Sequence, residues 1–310
     1  MSSVTPTEAV IANLGADDEI ALLRTRIDAW LQTVDGELRE PVRWAFAGVP
    51  KHFRPLTVFA CHRAIHETPA ATAVDAAFAI ELMHQMSLVI DDVLDESDER
   101  RGVPTLERRF GRLPALMASG YLVADAFAAC ARDPFAIRHL AELLRRLGAA
   151  ECLQWRLRRQ PLGVEDWRRI AGEDTGSMFE ICAVLGARSE RLRRYGHLLG
   201  VLYHGCDDVG DQRGLEALGG GGDEDIRDGI LTLPAALAIR DPQIRHLFAI
   251  DDDDPQRLAT IATAQRATLD EAETVLDRIA DAARSEAREF AVDHAPLVAL
   301  VDQVRQLSRR

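Results

Sequence analysis

Apolar residues recur at helical spacing over most of the chain, and no run alternates apolar and polar residues as a half-buried strand would. Ile20, Leu23, Ile27, Trp30 and Leu31 share one face and predict a helix over 20–34. Gly36 interrupts, a short amphipathic helix follows over 38–46, and Gly48-Val49-Pro50 reads as a loop. Pro55 suits the first turn of a helix ending near His66. The stretch 68–90 predicts a long helix that is apolar nearly all round after Ala73, and such a helix belongs at the centre of a large helical protein. Further helices are predicted over 115–131, 134–158, 164–185, 189–206, 229–239, 255–263, 269–291 and 296–307. Four consecutive glycines, 219–222, are the most obvious mobile element. The acidic run 251–254 before Pro255 reads as a helix N-cap and dipole partner rather than a metal site. The pattern as a whole predicts one all-α domain over 1–310, with 1–17 a flexible or weakly packed segment.

Two of the apolar runs end in the same way. Ile90-Asp91-Asp92-Val93-Leu94-Asp95 follows the apolar stretch 81–90, and Cys206-Asp207-Asp208-Val209-Gly210-Asp211 follows 198–205. On a helix, positions i and i+4 are neighbours on one face, so Asp91 with Asp95, and Asp207 with Asp211, form a carboxylate pincer. Three carboxylates this close repel one another, and burying one unpaired is costly. A divalent cation removes the conflict, and an all-oxygen set suits Mg2+ carrying phosphate oxygens. One such motif alone is equally well explained as a solvated helix end. Two copies of the same spacing, each closing an apolar helix, point to metal.

Composition narrows the class further. The chain has 310 residues, 47% hydrophobic and 28% charged, enough for a large core. No apolar run reaches the roughly 18–20 residues that span a bilayer, and residues 1–7 lack the basic-then-apolar pattern of a secretion signal. A net charge of −13 argues against a nucleic-acid partner. The five cysteines, Cys61, Cys130, Cys152, Cys182 and Cys206, are odd in number, lack Cys-x-x-Cys and sit in apolar helical context. Buried free thiols in a reducing cytoplasm are therefore expected. Lys51 is the only lysine among 37 basic residues, so a basic site that has become something other than arginine carries meaning.

From about residue 40 onward the chain resembles the trans-isoprenyl diphosphate synthases, the polyprenyl synthetase family. Pro50-Lys51-His52-Phe53-Arg54-Pro55 matches that family's Gly-Lys-x-x-Arg-Pro except at the leading glycine. Glu81-Leu82-Met83-His84 matches Glu-x-x-His, seven residues before the first aspartate. Arg100-Arg101-Gly102-Val103-Pro104-Thr105 is intact, both aspartate motifs match, and Gly229-Ile230-Leu231-Thr232-Leu233-Pro234 stands for Gly-Lys-x-Thr-Leu-Pro. The resemblance implies a single large helical bundle of the isoprenoid synthase type with a central active-site cavity. It implies condensation of an allylic prenyl diphosphate with isopentenyl diphosphate, to a product of about C15–C20 or longer. Asp91, Asp92, Asp95, Asp207, Asp208 and Asp211 would be catalytic and would bind Mg2+, three ions together with diphosphate. Lys51, Arg54, His84 and Arg101 would cradle the isopentenyl diphosphate, and Arg100 would reach the allylic one. Met86 and Ser87, five and four positions before Asp91, would set chain length. A homodimer is implied as well.

Several departures from that family fall on the allylic side. Its Lys-Thr aligns with Asp174-Thr175, the lysine of Gly-Lys-x-Thr with Ile230, and Phe-Gln with Tyr203-His204; separately, a Gly-Asp on the helix after the first motif reads Ser119-Gly120. Two cations near the leaving diphosphate are thus replaced by an acid and an aliphatic, and His204 could supply a compensating donor. Three readings stay open: a prenyl diphosphate synthase with an altered allylic site, a terpene cyclase-like or non-standard coupling enzyme, and a low-activity partner subunit of a heteromeric synthase.

Overall fold

The computed structural model of the chain describes residues 6–48, 50–100, 102–215 and 222–309. Arg101 and the predicted mobile glycines 219–221 lie outside the described residues. The chain divides into two compact units. The first is Met1–Leu144, Ile181–Leu192 and Ala291–Leu300, and the second is Arg145–Glu180, Arg193–Phe290 and Val301–Arg310.

The first unit is assembled from α1 (Pro6–Asn13), α2 (Asp17–Leu31), α3 (Arg39–Ala45), α4 (Phe53–Ile65), α5 (Val74–Leu94), α6 (Leu106–Phe110), α7 (Arg112–Ala129) and the start of α8 (Pro134–Leu157). The helix predicted from residue 68 begins as a 3-10 turn, Ala70–Ala73, and becomes α5. Ala77, Phe78, Ala79, Ile80, Leu82 and Met83 bury their side chains almost completely, so α5 is the core helix its all-round apolarity predicts. By length and composition alone, Ala70–Leu94 would suffice to cross a membrane, although no uninterrupted apolar run does so. Its burial is that of a core helix. The face of α7 carrying Ala115, Ala118, Ser119, Leu122 and Ala126 is buried, at the 3–4 residue spacing of one helix stripe, and packs on α5. In α1, Val10 and Ile11 are buried.

After α5 the polar segment folds back on itself. Glu99–Arg100 pairs antiparallel with Val103–Pro104, two residues a strand, too short to leave an alternating pattern. Thr105 caps α6: its hydroxyl accepts from the Arg108 N–H at 3.2 Å and donates to the Ser97 carbonyl at 2.7 Å.

The second unit takes in the end of α8, then α9 (Val164–Ala171), the first residues of α10 (Ser177–Ala187), α11 (Arg193–Gln212), α12 (Gly222–Asp228), α13 (Leu233–Ala238), α14 (Pro242–Phe248), α15 (Pro255–Ala267), α16 (Leu269–Phe290) and the end of α17 (Ala295–Arg305). Its centre is α11, which runs through the second aspartate motif instead of stopping at Cys206. Buried along it are Tyr195, Leu199, Leu202, Cys206 and Val209, and the stripe Ala272, Leu276, Ile279, Ala280, Ala283 and Ala287 of α16 packs against it. The predicted helix 164–185 is three pieces, because Gly172–Gly176 is a π-helical turn between α9 and α10. A Cβ on Gly200 of α11 would lie 2.7 Å from Gly176 Cα and 2.8 Å from the Thr175 carbonyl oxygen. Backbone therefore meets backbone at this turn, and only glycine permits the approach.

Asp254 caps α15 by accepting from the Gln256 N–H at 3.2 Å, and Asp252 pairs with Arg257 at 2.6 Å, so the acidic run is capping as its position predicts. All five cysteines are free. Four are buried, but Cys152 on α8 is exposed, against the expectation that all five lie inside.

Candidate active site

In the first unit, Asp91 and Asp92 occupy the last turn of α5 and Asp95 is its C-cap, its N–H donating to the Asp91 carbonyl at 2.9 Å. The i, i+4 relation therefore holds to the end of the motif. Asp92 is buried and accepts from Arg100 Nε at 2.8 Å. Burial pushes its carboxyl pKa up, and the Arg100 guanidinium only partly restrains the rise. Arg100 could instead have paired with Asp98 or Glu99 beside it. The short hairpin turns it back onto the motif, while Asp98 pairs with Arg108.

The same unit brings Arg54 of α4 and His84 of α5 together, with Arg54 Nη1 3.1 Å from His84 Nε2. A guanidinium can only donate, so Nε2 accepts and the ring is neutral at that nitrogen. One turn earlier on α5, Glu81 is buried and takes a 3.5 Å contact from the Gln85 amide. Burial raises its pKa, with the Arg54 charge opposing. Lys51 is half-buried in the loop entering α4. His52 beside it is buried in left-handed backbone, φ 56°, and burial with the charge of Arg24 lowers its pKa to about 4. Met86 is buried on α5, and the half-buried Ser87 donates to the His84 carbonyl at 2.9 Å.

In the second unit, Asp207, Asp208 and Asp211 lie on the last turns of α11. Asp208 Oδ2 accepts two donors at 2.8 Å, the Trp167 indole N–H from α9 and the Leu233 N–H at the start of α13. Its other oxygen is 3.7 Å from His204 Nε2, one turn back on α11. The opposite ring nitrogen, His204 Nδ1, is 3.4 Å from Asp174 Oδ2 and 3.0 Å from Thr175 Oγ1, which itself donates to Asp174 at 3.1 Å. Burial alone would lower the His204 pKa, but Asp208, Asp174 and Asp207 outweigh it and raise it to about 9. His204 is therefore an imidazolium at neutral pH. Its charge is shared between two carboxylates, and one of them is the acid that stands where the resemblance places a lysine.

Neither Trp167 nor Asp225 was marked by sequence spacing. Asp225 on α12 is pushed well above the usual carboxylate range by burial and by the charges of Asp208, Asp211 and Asp207. Its signal was its place four residues before Gly229 in the Gly-Ile-Leu-Thr-Leu-Pro motif, too weak to read alone. Ile230 lines a cavity of about 10 Å3 with Gln154, Leu157, Arg158, Ile170, His204 and Leu231.

Among the described residues, no group of three or more His, Cys, Asp or Glu side chains is already drawn together as a metal cage. The upward-shifted Asp92, Asp208 and Asp225 carry the electrostatic stress that a divalent cation relieves. The residues fit Mg2+.

The chain matches the polyprenyl synthetase family over residues 35–267. It is 30% identical over 287 residues to the nonaprenyl diphosphate synthase of Mycobacterium tuberculosis, covering 86% of this chain and 85% of that one. It is 30% identical over 226 residues to geranylgeranyl pyrophosphate synthase 4 of Arabidopsis thaliana, covering 65% of this chain and 60% of that protein. Among solved structures, the polyprenyl synthase of Caulobacter crescentus CB15, complexed with calcium and isoprenyl diphosphate, superposes with a TM-score of 0.87 at 24% identity over 100% of this chain and 99% of that one. This likeness gives the isoprenoid synthase fold that the resemblance implies, all-α as the helical pattern predicts.

Proposed function

This chain belongs to the polyprenyl synthetase family and is a prenyltransferase, and we propose that it condenses an allylic prenyl diphosphate with isopentenyl diphosphate to a longer trans-prenyl diphosphate. The observation that carries this reading is the repeated aspartate motif. Each copy closes a core helix, and each has one buried carboxylate gripped by its own donors, Asp92 by Arg100 and Asp208 by Trp167 and the Leu233 N–H. The chain's departures from the family pattern make it a synthase with an altered allylic site.

Asp91, Asp92 and Asp95 would hold magnesium with diphosphate, and so would Asp207, Asp208 and Asp211. Three Mg2+ ions, when bound, supply the charge that lets pyrophosphate depart. Arg100 holds Asp92 and reaches the allylic diphosphate. Lys51, Arg54, His84 and Arg101 cradle the isopentenyl diphosphate, the forked guanidinium of Arg54 suiting two phosphate oxygens. The apolar core helices exclude water from the developing allylic cation. Met86 and Ser87 put no aromatic side chain in the path of the growing product, which supports a length of about C15–C20 or longer. On α7, Leu113, Leu116, Met117, Gly120, Ala124 and Ala128 form an exposed apolar stripe, which supports a homodimer through this helix. The cysteine pattern supports a cytoplasmic location.

Asp91→Asn and Asp207→Asn should each lower turnover by at least about 100-fold, the scale of removing one transition-state contact to developing charge, while the variants melt as the parent does. Full activity in either variant refutes the assignment. Asp174→Lys with Ile230→Lys tests the allylic departure separately. Unchanged affinity and turnover would mean that the missing lysines are not a functional adaptation.

A further inference from the structure

We propose that Arg158, immediately after α8, binds the diphosphate of the allylic substrate and so takes over the charge that Ile230 lacks. The inference rests on the reading of the chain as a diphosphate-binding prenyltransferase and names a residue that the motifs do not contain.

The second unit lacks cations at two positions where the resemblance places them. Asp174 and Ile230 stand where the resemblance places two lysines, and His204 sits between Asp174 and Asp208, 3.4 Å from one and 3.7 Å from the other. Arg158, His204 and Ile230 bound the same small cavity. At about 10 Å3, that cavity holds roughly one water. The three residues therefore border one small space, and a long cation at position 230 would compete with Arg158 for it.

One contact of Arg158 and the hydrogen bonds of its neighbour place it there. Its guanidinium stacks over Trp155, 4.3 Å from the ring centroid, which orients the planar fork. Its neighbour Arg159 clasps the segment leading to Ile230. The Arg159 N–H donates to the Gly229 carbonyl at 2.8 Å, Nη1 to the Asp228 carbonyl at 2.9 Å and Nη2 to the Arg227 carbonyl at 2.8 Å. Gly229 has φ 68°, and a Cβ there would sit 2.4 Å from Arg159 Cγ, so the clasp admits only glycine. Arg158 lies one residue before the clasp and Ile230 one residue after it on the other segment. Their register is set by one backbone hydrogen bond, Arg159 N–H to the Gly229 carbonyl, and by the two carbonyls that the Arg159 guanidinium grips.

A forked guanidinium suits a diphosphate, whether it is the headgroup of an allylic substrate or free pyrophosphate. Calorimetric titration of the full chain with magnesium pyrophosphate, and separately with an unreactive allylic thiodiphosphate and Mg2+, tests the assignment and separates the two sources. Arg158→Gln should weaken binding about 10–150-fold, the range for one charged hydrogen-bonding group. Weakening of both ligands places Arg158 on the diphosphate itself, and weakening of the thiodiphosphate alone places it on the intact substrate. Ile230→Lys in the Arg158→Gln background should restore most of the loss. Arg158→Lys, which keeps the charge, serves if the glutamine variant unfolds, and should bind more weakly than the parent. Parent-like binding in Arg158→Gln, absence of binding by the parent chain, or failure of Ile230→Lys to rescue overturns the proposal. Turnover with both substrates is measured alongside. An active enzyme indifferent to Arg158→Gln rejects this assignment alone. An inactive parent that still binds pyrophosphate through Arg158 rejects the condensation reading alone.

Discussion

Trp167 offers the sharpest test of how the second aspartate motif is held. The indole is fully buried and donates to Asp208 Oδ2 at 2.8 Å. Trp167→Phe removes that donor and part of a packed ring. A hydrogen bond to a charged acceptor is worth about 1.5–3 kcal/mol, and the low end applies because the Leu233 N–H still serves the same oxygen. The lost ring volume adds about 1 kcal/mol, for a total near 2.5 kcal/mol. The fold should survive, since domains of this kind have about 5–15 kcal/mol in hand. The Mg2+ concentration for half-maximal turnover should rise about 10–100-fold, as when a residue that orients a metal ligand is lost. Gly205 supplies an internal control. A Cβ there would lie 2.6 Å from Leu276 Cδ2 and 3.0 Å from Trp167 Cζ2, so Gly205→Ala alone should cost about 1–3 kcal/mol by overpacking. In the Trp167→Phe background it should cost less, with a coupling of at least about 0.5 kcal/mol in urea unfolding. A Trp167→Phe variant that loses under about 0.5 kcal/mol and keeps its Mg2+ dependence would refute the reasoning, because a buried hydrogen bond to a charged acceptor is worth about 1.5–3 kcal/mol.

Other expectations follow from the same geometry. Burial alone would raise the pKa of Glu180, but His197, Arg146 and Arg193 hold it at about 2. Its folded pKa is below the ordinary value of 4.5, so its contribution is present above pH 4.5 and is lost as pH falls towards 2. The loss should reach about 3 kcal/mol, and Glu180→Gln should flatten that acid limb of the urea midpoint; an unchanged limb would exclude Glu180 as its source. Gly200→Ala should destabilise by more than about 3 kcal/mol, since its Cβ meets backbone that cannot turn aside, and a melt within a degree of the parent would contradict the close approach to the π turn. Arg100→Gln frees Asp92 to rise further under burial, so the acid limb of turnover should shift to higher pH. A pH profile superposable on the parent's would remove Arg100 from the motif.

Much of this was legible because helices announce themselves by period. The run 68–90 is apolar all round, and only a core helix accommodates that, so the position of Asp91 and Asp92 at its end could be read directly. The π turn could not. Gly172 and Gly176 sit in an otherwise good helix, and the turn lies against Gly200, 24 residues on from Gly176, a contact that no local pattern records. The hairpin 99–104 is two residues a strand and leaves no alternation. Trp167 and Asp208 are 41 residues apart, and the donor of a buried carboxylate is chosen by packing, which no spacing records. Asp174 and His204 were each legible as departures, but their pairing was not, and it changes their meaning. The histidine that might have met diphosphate is engaged with the acid that replaced a lysine.

The most direct measurement is product analysis after incubating the full chain with Mg2+ and labelled farnesyl diphosphate, with and without isopentenyl diphosphate. A longer diphosphate formed only when both substrates are present is the predicted result. A hydrocarbon or alcohol released from farnesyl diphosphate alone, or no product until a second protein is added, would contradict the assignment of this chain as a self-sufficient condensing prenyltransferase.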